Sequence, residues 1–510
     1  MRKWKDKKIL AMILAVSMTF QCMPSVAFAS EKTNNAVSQN TETTDVEQDT
    51  EQKTEQKQEA QQGDESQTNV PSETEEQSQA EGQTEQKTDT EPETGEADTA
   101  SQSLVVNNQV EIKRSEDFIN LSNEDAGNYQ NAEIKITRNA GVAFDLTKTT
   151  TDGKTFQGFG SQENPFKGTI TITNSESEIE IPINRSFFTY LDQNAKIDNG
   201  LYLKAGDSFN TPLLTKYFVN SSTTDTAADL SLIIDAATDT NSNTGERYFF
   251  GGLIGNMATG TNLSLSVKNK ITDKGKTKVS GTGNLGFFCN TMEADSSLTI
   301  KSYTGDAGYT VSTENGHAGG LVGEMKDNAA LTITPELTLE GSVQTTGKSY
   351  AAGGLVGKAG YSENSGTPEV ALTGKVTCKE TIAASGDDTS VGGYIGNAVF
   401  KETKSLNFDK LDVQDTLGDG SHVGGLFGVL NYDCASGGTL TLNNTKATTT
   451  FQGSNWQSGG LIGQYTANSL KSTLSIPSSK VTITHTGSAA SFGGVSGFIA
   501  GTGAGSALSN

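Results

Sequence analysis

The stretch Phe250-Gly251-Gly252-Leu253-Ile254-Gly255 decides the fold, because the chain repeats it. Close copies are Ala318-Gly319-Gly320-Leu321-Val322-Gly323, Ala352-Gly353-Gly354-Leu355-Val356-Gly357, Val391-Gly392-Gly393-Tyr394-Ile395-Gly396, Val423-Gly424-Gly425-Leu426-Phe427-Gly428 and Ser458-Gly459-Gly460-Leu461-Ile462-Gly463. Altered copies are Leu285-Gly286-Phe287-Phe288-Cys289 and Phe492-Gly493-Gly494-Val495-Ser496-Gly497. Aligned on the second glycine, the copies stand at 252, 286, 320, 354, 393, 425, 460 and 494, in steps of 34, 34, 34, 39, 32, 35 and 34 residues. Eight copies at a nearly constant period indicate a solenoid or another repeat array.

An alternating segment follows each of the first seven glycine motifs, beginning 11 to 16 residues after the second glycine. These segments are Leu263–Val267, Leu298–Ile300, Leu331–Ile333, Val370–Leu372, Leu406–Phe408, Leu440–Leu442 and Leu474–Ile476. Alternation with period two predicts strands with the apolar side chains inside and Ser or Thr outside. A weaker third piece completes most repeats: Leu337–Leu339, Val376, Leu411–Val413 and Val481–Ile483. The pattern therefore predicts three short strands per repeat.

A parallel β-helix explains this pattern better than the other repeat folds. Each repeat would be one coil, and equivalent residues would stack about 4.8 Å apart along the axis. The glycines would then permit a tight corner, or a close approach where a side chain would clash. A β-propeller needs a fourth strand and a blade signature that the repeats lack, and glycine with β-branched residues disfavours a helical array. We therefore predict an all-β solenoid of about eight coils over residues 241–510.

Residues 103–240 contain strand-like pieces but no copy of the motif. We interpret them as a β-rich cap that shields the first coil, because terminal units of a solenoid are atypical. One short helix is predicted over residues 115–121. Ser115 is placed to cap it, and Phe118, Ile119 and Leu121 give it an apolar side.

The first 102 residues have two different compositions. Residues 1–29 read as an export signal, with a basic start, an apolar run from Ile9 to Phe20 and the small-x-small sequence Ala27-Phe28-Ala29. Residues 30–102 lack leucine, isoleucine and aromatic residues and hold 20 acidic residues against 4 lysines. Such a segment buries too little apolar surface to offset the entropy of ordering, which predicts a disordered acidic linker.

The net charge of −23 excludes some classes of partner. A strongly acidic chain is not typical of nucleic-acid binders, which carry basic patches, and it disfavours anionic membrane surfaces. The apolar run in the signal is too short to span a bilayer, so membrane insertion is not expected. The predicted partner is a surface glycan or protein.

The cysteines and histidines do not form a recognisable site in the sequence. Cys289, Cys378 and Cys434 are too few for a disulfide framework and are predicted to be free, with Cys289 in the place of the closing glycine of its repeat. His317 and His422 occupy equivalent places three coils apart, about 14 Å by strand spacing, which is too far to share a metal ion. We therefore assign no catalytic, cofactor-binding or metal-binding residue and no cofactor.

Three carboxylates deserve comparison because some β-helices cleave polysaccharides. Asp387 and Asp388 lie six and five residues before Gly393, and Asp419 lies six before Gly425. Stacked coils would bring Asp387 and Asp419 within about 5 Å, near the separation of a retaining glycosidase pair, and the trio could instead hold calcium. The neighbouring glycines are, however, typical of ordinary turns, and a turn role is the favoured interpretation.

Aromatic residues and hydroxyl rows are the features available for glycan binding. Trp456 is the single tryptophan after the predicted signal, and its ring could cover a coil edge or stack on a sugar. The rows of Ser and Thr on the outer strand faces form a solvated surface that could also bind a glycan or a protein.

The repeated Gly-Gly-Leu-Val-Gly element resembles the Glug motif of bacterial surface proteins. The helix over residues 115–121, the strands after it and Asn164-Pro165-Phe166-Lys167-Gly168-Thr169 also resemble the start of such β-helical proteins. The resemblance covers about residues 103–510 and implies a right-handed β-helix in an exported, adhesin-like protein. It implies no active site, and Cys289 and Ser496 depart from the motif. The acidic linker is similar to the stalks of Gram-positive surface proteins.

The last motif copy lies only 16 residues before the final residue, Asn510. Its coil is incomplete, and an uncovered β-helix end exposes an edge that pairs with other chains. We therefore expect further repeats and a cell-wall anchor to follow residue 510.

The sequence favours a secreted or surface-displayed β-helical adhesin or stalk without enzymatic activity. The alternative is a polysaccharide-active enzyme with its cleft near Asp387 and Asp419. The two hypotheses differ in whether these acids converge in an open groove beside aromatic side chains.

Overall fold

Parallel strands of successive repeats stack along the molecule in the computed structural model. The structure describes residues 104–137, 143–173, 178–198, 200–206, 209, 211–222, 226–236, 247–248, 251–271, 277–305, 308–361, 366–468, 472–501 and 507–509. The predicted signal and the acidic linker lie outside the described residues. Strands make up 57% of the structure and helices 3%, in a solenoid of about ten turns of roughly 34 residues. The predicted all-β solenoid is confirmed.

The elements are numbered in chain order. The helices are α1 (Ser115–Ser122) and α2 (Ala126–Tyr129). The strands are β1 (Gln109–Ile112), β2 (Glu133–Ile136), β3 (Thr169–Ile172), β4 (Glu180–Ile183), β5 (Phe188–Asp192), β6 (Lys196–Asp198), β7 (Leu201–Ala205), β8 (Thr215–Val219), β9 (Ala228–Ala236), β10 (Arg247–Tyr248), β11 (Ile254–Met257), β12 (Asn262–Asn269), β13 (Thr277–Thr282), β14 (Leu285–Gly286), β15 (Cys289–Met292), β16 (Ser297–Thr304), β17 (Gly308–Glu314), β18 (Ala318–Gly319), β19 (Val322–Met325), β20 (Ala330–Ile333), β21 (Leu337–Thr346), β22 (Ala351–Gly353), β23 (Val356–Ala359), β24 (Glu369–Leu372), β25 (Val376–Ser385), β26 (Ser390–Gly392), β27 (Ile395–Phe400), β28 (Lys404–Asn407), β29 (Leu411–Val413), β30 (Thr416–Leu417), β31 (Gly420–Gly424), β32 (Phe427–Tyr432), β33 (Gly438–Asn443), β34 (Lys446–Phe451), β35 (Ser454–Gly459), β36 (Ile462–Ala467), β37 (Ser472–Ser475), β38 (Lys480–His485), β39 (Ser488–Gly493), β40 (Ser496–Gly501) and β41 (Ala507–Ser509).

From β14 onward, the coils contribute strands to four faces of the solenoid. The post-glycine sheet runs β5-β8-β11-β15-β19-β23-β27-β32-β36-β40, and the pre-glycine sheet runs β14-β18-β22-β26-β31-β35-β39. The leucine sheet runs β4-β7-β9-β12-β16-β20-β24, and β28-β33-β37-β41 occupy the same face in later coils. The long-strand sheet contains β10, β13, β17, β21, β25, β29, β30, β34 and β38. A smaller N-terminal sheet runs β1-β2-β3-β6.

The solenoid begins earlier in the chain than the glycine motif indicates. Strands β4, β7 and β9 belong to the leucine sheet, and β5 and β8 belong to the post-glycine sheet. Residues predicted to form a separate cap therefore supply regular coils from Glu180 onward. This continuity explains why the structure has about ten turns where eight motif copies predict eight.

The glycine motif forms a corner between two strands. In the copy around Gly320, the pre-glycine strand β18 is only two residues long and the post-glycine strand β19 begins at Val322. Three strands per repeat were predicted because the motif was interpreted as one strand, whereas the corner divides it in two. Leu321 and Val322 follow the glycines and are fully buried.

The corners require glycine because neighbouring backbones approach closely there. A β-carbon built on Gly425 would lie 2.2 Å from the carbonyl oxygen of Gly460 in the next coil. One built on Gly320 would lie 2.0 Å from the carbonyl oxygen of Gly354. Real β-carbons do not approach backbone atoms so closely, so any side chain would push the coils apart.

The second copy of the motif has a different register from the predicted one. Gly286 pairs with Gly319, the first glycine of the next copy, and Cys289 pairs with both Ile254 and Val322. Cys289 therefore occupies a buried apolar position, and Asn290 replaces the closing glycine. The Asn290 amide donates to the Gly251 carbonyl and accepts from the Gly286 N–H, which stabilises this atypical corner.

The helix α1 covers the start of the solenoid. Its predicted apolar residues Phe118, Ile119 and Leu121 are buried, and the Phe118 ring packs 5.4 Å from Phe144. Ser115 does not cap the helix, contrary to the prediction. The Asp117 carboxylate accepts the N–H groups that precede the helix, and Ser115 Oγ instead accepts the Asp145 N–H at 2.8 Å. No helix among the described residues is long and apolar enough to cross a membrane.

Replacing Gly425 by alanine tests the close approach of the coils. We expect Gly425→Ala to destabilise the solenoid by up to roughly 3 kcal/mol, since its β-carbon would clash with a neighbouring backbone. The matched control is Gly494→Ala at the equivalent place of the last copy, where nothing lies within 4 Å of a built β-carbon. Thermal unfolding followed by circular dichroism should show a lower midpoint for Gly425→Ala alone. Equal midpoints would contradict the steric explanation.

Candidate functional site

Asp387 and Asp388 lie in an exposed turn between the long-strand and pre-glycine sheets. The Asp387 carbonyl accepts the Ser349 N–H at 2.9 Å. The Asp388 backbone has a φ of 56°, and its carboxylate lies 3.3 Å from Ser349 Oγ. Asp388 Oδ1 also lies 3.4 Å from His422 Nε2. These contacts tie the turn to its neighbouring coils.

Asp419 was predicted to lie opposite Asp387, but its contact with the preceding coil is to Ala384. Its carbonyl accepts the Ala384 N–H at 2.8 Å, and its carboxylate accepts the Ser454 N–H at 2.8 Å. The offset between paired residues is 35 before this turn, where Ile382 meets Leu417, and 32 after it, where Ser390 meets His422. The turn is therefore three residues shorter in the later coil. Equal spacing from the glycines does not place Asp387 and Asp419 at equivalent points of the turn.

The structure instead brings Asp388, His422 and Trp456 together. We call these residues, with Gln457, the ridge cluster. His422 Nδ1 lies 2.8 Å from Gln457 Oε1, and the His422 ring centroid lies 5.9 Å from the Trp456 ring. Trp456 is 61% exposed, while His422 is buried. The exposed Trp456 ring therefore lies beside a buried, hydrogen-bonded imidazole. Such a ring can stack on a ring of a ligand.

His317 belongs to the interior and not to the ridge cluster. Its Nδ1 accepts the Ala351 N–H at 3.1 Å, and its Nε2 lies 4.0 Å from Glu324 Oε1. Burial, with a smaller contribution from Lys358, lowers the pKa of His317 to about 3. The imidazole is therefore neutral and structural. His485, by contrast, is exposed.

A buried cluster of Cys378, Glu380 and Asp415 was not selected from the sequence. One ligand atom from each lies within 4.8 Å of the others, and all three residues are at most 1% exposed. Cys378 and Glu380 alternate along strand β25, so both side chains point inward. The sequence indicated an unusual buried charge here. Glu380 stands between Cys378 and Ile382 in an alternating pattern whose other inward positions carry apolar side chains. We call these three residues the core cluster.

The core cluster occupies space that the second glycines leave open. A β-carbon built on Gly354 would lie 2.9 Å from Glu380 Oε2, and one on Gly393 would lie 2.7 Å from Asp415 Oδ2. A β-carbon on Gly320 would lie 2.7 Å from the hydroxyl of Tyr309. The glycines therefore serve the backbone contacts and also make room for polar side chains in the core.

The environment of the core cluster opposes negative charge. Burial raises the pKa of Glu380 well above its usual value, and the adjacent Asp415 raises it further, whereas the Tyr309 hydroxyl lowers it. Burial raises the pKa of Asp415 to about 8, although the Glu380 N–H donates to its Oδ1 at 2.7 Å. Burial also raises the pKa of the Cys378 thiol. Without a counter-ion this environment favours the protonated form of each group.

Cys289, Cys378 and Cys434 are free, as predicted, and all three are buried. Cys434 lies apart from the core cluster, where its Sγ contacts the Gly437 carbonyl at 2.9 Å. Burial raises the pKa of Cys289 to about 12, so its thiol is protonated in the apolar core. Of the three, Cys378 is the cysteine that lies beside carboxyl groups.

The His317→Asn variant tests the contribution of a neutral buried imidazole to stability. The pKa in the folded state lies below the ordinary 6.5, so the unfolded chain binds the proton first as the pH falls from 6.5 to about 3. Wild-type stability is therefore lost over this range. Asparagine can still accept the Ala351 N–H but does not titrate, so the variant should lose less stability there. Urea-unfolding midpoints measured across this range provide the test.

His485→Asn is the matched control, because His485 is exposed. It should show the same loss of stability with falling pH as the wild type. A parallel pH dependence in His317→Asn and wild type would show that the His317 imidazole does not contribute as described.

Comparison with known proteins identified no family for this chain. No family model, no curated protein and no solved structure matches it. The resemblance to Glug-motif surface proteins therefore stays a prediction. Functional inference rests on the geometry of the solenoid and of the two clusters.

Proposed function

We propose that this chain is an exported, non-enzymatic β-solenoid that acts at the cell surface as an adhesin or stalk. The observation that carries the proposal is a straight row of hydroxyl groups on the outer face of the long-strand sheet. It consists of Thr310, Ser342, Thr381, Thr416, Thr450 and Thr484, which we call the hydroxyl ladder. Successive members are paired across neighbouring coils.

The hydroxyl ladder is accessible along its length. Each member is half-buried or exposed, whereas its inward neighbours, such as Val343, Ile382 and Leu417, are fully buried. Neighbouring members lie about 4.8 Å apart, the spacing of paired strands. A regular row of donors and acceptors matches an extended polar polymer, because a glycan also presents hydroxyl groups at repeated intervals.

The ridge cluster lies next to this row along the chain. Strand β34 carries Thr450, and the following strand, β35, carries Trp456. An exposed indole on the strand that follows a ladder strand would supply an apolar platform, and the hydroxyl groups would supply hydrogen-bonding partners for a carbohydrate. The proposed ligand is therefore a surface glycan, with a glycosylated protein as another carrier of the same chemistry.

The length of the solenoid supports the stalk component of the proposal. About ten coils stacked at the strand spacing extend for roughly 50 Å. The predicted export signal and acidic linker are consistent with display of this rod outside the cell. Repeats that contact only their neighbours form a rigid, extended surface rather than a closed cleft.

Replacement of three ladder hydroxyls tests the proposed binding surface. Thr381→Val, Thr416→Val and Thr450→Val together remove the hydroxyls but keep the β-branched shape that suits strands. The full chain should bind polysaccharide-coated surfaces, and the triple variant should lose at least about tenfold in affinity, equivalent to 1.4 kcal/mol. Binding is measured by biolayer interferometry against a panel of bacterial and host polysaccharides.

The matched control carries Thr299→Val, Thr332→Val and Thr441→Val. These half-buried threonines point outward from the leucine-sheet face, away from the ladder. The control variant should bind as the wild type does. Equal losses in both variants would contradict the ladder as the binding surface, and no binding by the wild-type chain to any polysaccharide would contradict the adhesin function.

A further inference from the structure

We propose that the core cluster of Cys378, Glu380 and Asp415 binds a divalent transition-metal ion of the zinc type inside the solenoid. The Tyr309 hydroxyl would be the fourth donor. The site is independent of the proposed adhesive surface. It would join adjacent coils, because Glu380 lies on β25 and Asp415 lies between β29 and β30, the two strands of the next coil that pair with β25.

The geometry of the core cluster fits a small coordination sphere. The three ligand atoms lie within 4.8 Å of one another. A tetrahedral ion with bonds of about 2.0 to 2.3 Å places its ligand atoms about 3.5 Å apart. Small side-chain rotations would therefore close the cluster around an ion without a change in the backbone.

Unpaired polar atoms converge on the same place. Among the described residues, neither oxygen of Glu380 nor Asp415 Oδ2 makes a hydrogen bond of ordinary geometry. The hydroxyl of Tyr309, a residue that is 98% buried, interacts with Glu380 but makes no hydrogen bond of ordinary geometry. A buried polar group without a partner destabilises the folded state. One cation would satisfy all of these atoms together.

The thiol favours a metal ion over a shared proton. Two carboxyl groups alone could share a proton, but a shared proton would not involve the adjacent Cys378 thiol. A thiolate beside two carboxylates is a ligand set for zinc-type ions, whereas calcium and magnesium prefer oxygen ligands alone and more of them. Binding would release the protons of Cys378, Glu380 and Asp415, and the ion would replace them as the positive charge.

Metal reconstitution of the full-length chain tests the proposal. Because the cluster is buried, the chain is unfolded in guanidinium with chelator and refolded with Co²⁺, followed by removal of free metal. We expect one Co²⁺ per chain by elemental analysis and a thiolate-to-cobalt absorption band in the near ultraviolet. Zn²⁺ should displace the cobalt on a second round of refolding and raise the thermal unfolding midpoint, and chelator during refolding should lower the midpoint.

Variants locate the ion within the chain. Cys378→Ser should abolish the absorption band, and Asp415→Asn should lower the bound cobalt at least about tenfold. Cys434→Ser and Cys289→Ser replace buried thiols outside the cluster and should keep both the band and the stoichiometry. Circular dichroism establishes that each variant has refolded, and the zinc dependence of the wild-type midpoint does not require any variant.

Two results would overturn the proposal. A refolded wild-type chain that retains no cobalt or zinc would show that the carboxyl groups are satisfied by protons. A band that persists in Cys378→Ser, or that disappears in Cys289→Ser or Cys434→Ser, would place the metal at another thiol. Loss of glycan binding in the ladder variant with retained cobalt would leave the metal site intact, so the two proposals fail separately.

Discussion

The close approach of neighbouring backbones at the glycine corners is the constraint on which the structure depends. At Gly320 and Gly425 the next coil lies so near that a single β-carbon would meet a carbonyl oxygen at about 2 Å. The corner sets how the strands before and after it pair with their neighbours. The two apolar residues that follow each corner then fill the core. The corners thereby set the spacing between neighbouring coils, and the strands of the leucine and long-strand sheets have the same spacing.

The same constraint creates the polar part of the interior. Glycine without a side chain leaves room on the inner wall, and Glu380, Asp415 and the Tyr309 hydroxyl occupy that room. In the second motif copy, Phe287 stands at the second-glycine position, and its ring stacks 5.0 Å from the Tyr309 ring. The Phe287 ring in this copy therefore fills space equivalent to that filled by the Glu380 and Asp415 carboxyl groups beside the glycines of other copies. The space beside a glycine corner is filled by carboxyl groups in some coils and by apolar side chains in others, such as Ile483 beside Gly460.

Much of the fold was predictable because it repeats. The leucines of strands such as β12 and β33 alternate with Ser or Thr, and they are buried as the alternation indicates. The helix α1 and its apolar side also followed from local pattern. The register of the second copy did not follow from local pattern, because Asn290 stands in the place of the closing glycine and its side chain stabilises the corner. The placement of Asp419 opposite Ala384 also did not follow from local pattern, because the turn that carries Asp419 is three residues shorter than the turn that carries Asp387.

The sequence by itself determined the period of the solenoid, the place of most of its corners and the inward-facing leucines of its strands, since these depend on spacing within one coil. Only the tertiary structure decided which side chains meet across coils. Backbone pairing between strands about 35 residues apart brings Glu380 next to Asp415. It also brings Asp388 next to His422, which lies beside Trp456. Such contacts depend on the length of every turn between the partners, and a difference of three residues in one turn is enough to change them.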